Sequence, residues 1–88
     1  MDISERARIH AALADPLRLR IVDILSSRQE VCGKELAELL GASVALVSHH
    51  AKLLEDAGLL LRRRDGQFVR FSLNLDRMDE VRGSLEHS

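Results

Sequence analysis

Residues 35–73 read ELAELLGASVALVSHHAKLLEDAGLLLRRRDGQFVRFSL, and the order of patterns in this stretch decides the fold. Leu36, Leu39 and Leu40 recur at helical spacing from about Gly33 to Leu40, and Gly41 supplies the left-handed residue on which such a helix closes. Gly41-Ala42-Ser43 is then a three-residue turn. Ser43 caps a second helix whose inward stripe is Val47, Ala51 and Leu54 and which closes at Ala57-Gly58. Two short helices joined by a glycine-containing turn make a helix-turn-helix. Directly after it, residues 59–64 and 67–73 flank Asp65-Gly66, a dipeptide that favours a tight hairpin with positive φ at both turn positions. The hairpin is a wing beside the two helices.

Toward the N-terminus, Ile3, Ala7 and His10 share a face with Ile9 and Leu13 beside it, which predicts an amphipathic helix stopping near Asp15-Pro16. Asp15 caps the next helix, Pro16 takes its first position, and Leu17, Ile21, Ile24 and Leu25 follow at helical spacing to about Ser26-Ser27. Toward the C-terminus, residues 76–85 form a last helix with Met78, Val81 and Leu85 on one face, weakened by Gly83. The expected fold class is therefore mainly α with a small β-hairpin, a winged helix-turn-helix in the order α-α-α-α-β-β-α. It occupies residues 1–88 as one domain, without repeats, linkers or low-complexity tracts.

Composition sets bounds on this reading. The 88 residues are 45% apolar, yet Phe68 and Phe71 are the only aromatics, so the core is aliphatic. A chain of this size buries only roughly 60–65% of its unfolded surface, and a second copy is a natural source of further burial. No apolar run approaches membrane-spanning length, no signal-like N-terminus is present, and 31% of residues are charged, which points to a cytoplasmic protein without a membrane partner. The lone Cys32 excludes an internal disulfide.

The net charge of −1 hides a gradient. Lys52, Arg62, Arg63, Arg64 and Arg70 outnumber Glu55, Asp56 and Asp65 within residues 43–73, whereas both flanks are acidic, so an anionic partner meets the middle of the chain. A helix that reads a major groove keeps short polar residues at its exposed N-terminal end and its apolar stripe behind. Ser43, Ser48, His49 and Lys52 lie off the Val47/Ala51/Leu54 stripe, and the wing adds Arg62, Arg63, Arg64, Gln67 and Arg70. Strand alternation puts Arg62 and Arg64 on one face of the ribbon and Arg63 with the turn on the other. Double-stranded DNA is the partner this pattern favours. The competing readings are a winged domain that uses its arginines on an acidic protein, and a charged edge that merely resists aggregation. Ser48 and His49 are sequence neighbours facing different ways, with no third group or oxyanion loop, so no catalytic site is expected.

The opening Ala11-Ala12-Leu13-Ala14-Asp15-Pro16-Leu17-Arg18-Leu19-Arg20-Ile21, the run Glu35-Leu36-Ala37-Glu38-Leu39-Leu40-Gly41, and Val47-Ser48-His49-His50-Ala51-Lys52-Leu53-Leu54 with Ala57-Gly58-Leu59 together resemble the ArsR/SmtB family. The resemblance implies a homodimeric repressor with two recognition helices in successive major grooves of a palindromic operator. It also implies that residues 1–14 and 76–86 are dimerisation helices, with Ile3, Ile9, Leu13, Met78, Val81 and Leu85 at the interface. Base and phosphate readers fall on Ser43, Val44, Ala45, Leu46, Ser48, His49 and the wing. Where relatives often carry polar side chains, Val44, Ala45 and Leu46 are apolar, which favours thymine-methyl contacts or packing over hydrogen-bond readout.

Many members of that family release DNA on binding a metal or metalloid. Their Cys-x-Cys motif falls on Cys32-Gly33-Lys34, where lysine replaces the second thiolate, and their Asp-x-His motif falls on Asp76 and Met78, where methionine replaces the histidine. No metal and no cofactor is therefore expected, and the sequence names no inducer. Cys32 is the one candidate sensor, by thiol oxidation or with a partner chain's His10, against the plainer reading of a small half-buried residue at a helix start. His50 reads as a packing or hydrogen-bonding residue, and His87 as part of a disordered tail.

Overall fold

The computed structural model describes residues 1–86, and the side chains through residue 83. The elements are α1 (Ile3–Leu13), α2 (Pro16–Ser26), β1 (Val31–Cys32), α3 (Gly33–Leu40), α4 (Val44–Asp56), β2 (Leu60–Asp65), β3 (Phe68–Leu73) and α5 (Leu75–Glu86). The architecture is a winged helix-turn-helix, with α3 and α4 as the paired helices and β2–β3 as the wing. His87, expected to be disordered, lies outside the described residues.

Side-chain caps account for the starts of α1, α2, α4 and α5. The Glu5 N–H donates to Asp2 Oδ1 (2.7 Å), the Arg18 N–H to Asp15 Oδ2 (3.0 Å) and the Leu46 N–H to Ser43 Oγ (3.0 Å), each satisfying an amide that the first turn leaves free. Asn74 caps α5 by accepting from the Arg77 N–H (3.3 Å) and also donates its Nδ2 to the Gly58 carbonyl (3.0 Å), which fixes α5 to the end of α4. Between α3 and α4, Gly41 sits at φ 64°, and the Ala42 N–H donates to the Ala37 carbonyl (3.0 Å), so the chain reverses without strain.

Three readings of the sequence need correction. The sheet has three strands in the order β1-β3-β2, because Val31 and Cys32 pair antiparallel with Phe71 and Arg70. A two-residue strand is too short to show a period, and only the partner strand reveals it. At the wing tip Asp65 pairs with Phe68, so the turn is Gly66-Gln67, and Gly66 (φ 61°) alone has positive φ, as where glycine leads a two-residue turn. In α3 the buried residues are Leu36, Ala37 and Leu40, while Leu39 faces solvent. Leu39 shares the helical period with Leu36 but lies one step round from the stripe that α2 and α4 cover.

The core gathers Ile9 of α1, Ile21 and Leu25 of α2, Val31 of β1, Leu36, Val47 and Leu54 of the paired helices, Leu59, and Phe71 of the wing, all with 2% exposure or less. Val81 of α5 joins the same cluster. Arg77 of α5 also forms an ion pair with Glu5 of α1, holding the two terminal helices together. No helix among the described residues is long and apolar enough to cross a membrane.

Candidate nucleic-acid interface

Burial of Val47, Ala51 and Leu54 against the core turns the opposite side of α4 outward. Ser43, Val44, Ala45, Leu46, Ser48, His49 and Lys52 are all exposed along it. Their chemistry is uneven. Ser43 Oγ is already the acceptor of the helix cap. Val44 and Leu46 present apolar surface to water, and Lys52 Nζ donates to Asp56 (2.8 Å), a hydrogen bond that raises the lysine pKa. Among the described residues, Ser48 and His49 are the polar side chains on this surface that neither cap the helix nor pair with a carboxylate.

The wing register matches Arg62 with Phe71, Arg63 with Arg70 and Arg64 with Val69, so Arg62 and Arg64 share one face and Arg63 and Arg70 the other. The arginines then part company by what they touch. Arg62 Nε donates to Glu55 Oε1 (2.6 Å), and its guanidinium lies 5.2 Å from the Phe71 ring centroid, a cation–π seat. Arg63 makes a two-pronged bridge to Glu30 through Nε (2.9 Å) and Nη2 (2.7 Å), and that hydrogen bonding holds the Glu30 carboxyl below its usual range. Arg70 Nε donates to Asp65 Oδ2 (2.8 Å), which lowers the Asp65 carboxyl in turn. Arg64 is exposed and has no ion-pair partner among the described residues, and Gln67 stands exposed at the tip.

Sequence reading missed the network that seats α4. Arg18 of α2 donates through Nε to the Ala12 carbonyl at the end of α1 (2.6 Å), and its Nη1 lies 3.3 Å from His50 Nδ1 on α4. Asp15 Oδ2 is 3.9 Å from the same His50 nitrogen. One guanidinium therefore joins the α1–α2 corner to the exposed helix. Nothing in the residue spacing announces it, since positions 18 and 50 meet only through the packing of α2 on α4.

The terminal helices distribute their expected interface residues unequally. Ile9 and Val81 are buried within the protomer's own core, Leu13 and Met78 are half-buried against it, and Ile3 is 75% exposed. The Leu85 side chain lies outside the described residues. Leu75, at the start of α5, is 68% exposed and was not singled out by the sequence. Cys32 is half-buried just before α3, with no hydrogen bond from its side chain to the helix start.

The sequence profile of the bacterial regulatory proteins of the arsR family matches residues 15–60. The chain is 35% identical over 86 residues to the arsenical resistance operon repressor of Staphylococcus xylosus, covering 98% of this chain and 82% of that protein. It is 32% identical over 75 residues to a cadmium resistance transcriptional regulatory protein CadC homolog of Staphylococcus aureus, covering 85% of this chain but only 62% of that relative's length. The crystal structure of NolR from Sinorhizobium fredii superposes with a TM-score of 0.78 at 31% identity, covering 96% of this chain and 83% of that one. Among the described residues no three His, Cys, Asp or Glu side chains cluster so as to hold a metal ion.

Proposed function

The chain belongs to the arsR family of bacterial regulatory proteins, and on that premise we propose that it is a non-enzymatic, cytoplasmic transcriptional repressor that binds a palindromic operator as a homodimer. The observation that carries the DNA reading is that α4 and the wing leave Ser48, His49, Gln67 and Arg64 exposed, with Ser48 of α4 and Gln67 of the wing lining one cleft. These side chains are offered to an anionic groove, with the remaining wing arginines close by. Size and surface support the dimer: Ile3 and Leu75, both at the N-terminal starts of their helices, leave large apolar side chains in water. Residues 1–14 and 76–86 are then the segments that meet across the two-fold axis.

Recognition divides between two kinds of contact. Arg64 and the other wing cations neutralise phosphates, which sets affinity and its salt dependence, while Ser48 and His49 meet base edges and set sequence preference. Val44, Ala45 and Leu46 suit thymine methyl groups. Footprinting on the DNA upstream of the chain's own gene, beside a random duplex at low salt, tests this. A protected palindrome is expected, and absence of binding to either DNA sinks the repressor reading.

A further inference from the structure

Between the start of α3, the exposed side of α4 and the wing lies an open cleft of about 410 Å³, within the range of roughly 300–1,000 Å³ typical of small-molecule sites. Its apolar lining comes from Val44, Phe68 and Val69, with the edge of the buried Phe71 beneath them. Val44 is 52% exposed, a large apolar side chain that the core does not claim. Among the described residues, the charged side chains lining the cleft are Lys34 and Arg62, and no carboxylate lines it. Lys34 is exposed with no ion-pair partner among the described residues, whereas Arg62 is shared with Glu55 and laid on the Phe71 ring. An aromatic and aliphatic floor with a cationic rim complements a flat organic anion.

We propose that this cleft binds a small aromatic carboxylate, its ring system against Val44, Phe68 and Val69 and its carboxylate at the Lys34 ammonium, and that occupancy excludes DNA. Exclusion follows because Ser48 of α4 also lines the cleft, so ligand and groove compete for one surface. The exclusion rests on the DNA reading above; the binding does not.

The test is a titration of the full chain with 2-naphthoate, followed by backbone amide NMR shifts, beside the uncharged analogue 2-naphthalenemethanol. Saturable shifts centred on Val44, Ser48 and Val69 are expected, with the carboxylate bound roughly two- to fivefold more tightly than the alcohol, the worth of one exposed ion pair. Lys34→Gln, an exposed change that leaves the melting curve in place, removes that preference. Shifts that map elsewhere, or equal affinity for acid and alcohol, overturn the proposal. A duplex added to the titration lowers naphthoate affinity, and unchanged naphthoate affinity on saturating DNA overturns the competition. If no duplex binds at low salt, the DNA reading is what fails, and the cleft is still judged by the amide shifts.

Discussion

Arg63 and Arg64 are neighbours in the chain, but a phosphate arriving at the wing meets them differently. The Arg63 guanidinium already holds Glu30 with two hydrogen bonds, so DNA must displace a carboxylate to use it; Arg64 needs no displacement. Arg64→Ala should therefore weaken operator and random DNA alike and reduce the salt slope by about one phosphate contact between about 50 and 200 mM salt. Arg63→Ala should cost less. Fluorescence anisotropy across that salt range measures both, and equal losses would contradict the distinction. Ser48→Ala should lose more on the operator than on random duplex, since a base contact carries the sequence information. Acid sensitivity also belongs to this scale. The Arg18 N–H, and after it the Arg18 charge, holds the Asp15 carboxyl below its ordinary value. A depressed carboxyl contributes stability at neutral pH that is lost as the pH falls below about 4, because the unfolded chain then binds the proton first. Asp15→Asn keeps a cap but removes the titration, so its melting temperature should fall less steeply below that pH than the wild type's. A parallel acid decline in both proteins would refute this assignment.

At the scale of elements, α4 is oriented by more than its apolar stripe. The Arg18 bridge from the Ala12 carbonyl to His50 fixes the helix to the α1–α2 corner. Arg18→Ala leaves the Ala12 carbonyl and His50 without this donor, and should cost on the order of 1–3 kcal/mol in urea unfolding. It should also narrow the ratio of operator to random affinity, because a tilted α4 misplaces Ser48. Arg18→Lys should recover only part of that ratio, since an ammonium cannot span both acceptors with a planar fork. The helix boundaries were legible because each carries its own punctuation in Asp15-Pro16, Gly41, Ser43 and Gly58. Strand β1 was not, since its two residues become a strand only by hydrogen bonding to β3. Leu39 misled because helical period identifies a stripe about a third of the circumference wide, whereas neighbouring elements decide which part is covered.

For the whole molecule, the terminal helices bury some apolar residues in the core and leave others exposed. Ile9 lies in the protomer core, so Ile9→Ala should destabilise the fold itself by about 2–5 kcal/mol. Ile3 lies outside it, so Ile3→Glu should shift sedimentation toward monomer while leaving circular dichroism unchanged. A dimer undisturbed by Ile3→Glu would move the interface away from the start of α1. The sequence by itself determined the order of helices, the glycine turn, the basic hairpin and the outward residues of α4. These depend on local dihedral preference and on periodicity, which neighbouring residues carry. Only the tertiary structure decided which wing arginines are held by carboxylates, that Arg18 holds α4 through His50, and that Ile9 and Val81 belong to the core. Those outcomes depend on which distant residues packing brings within a few ångströms, as it does Glu30 and Arg63, 33 positions apart in the chain.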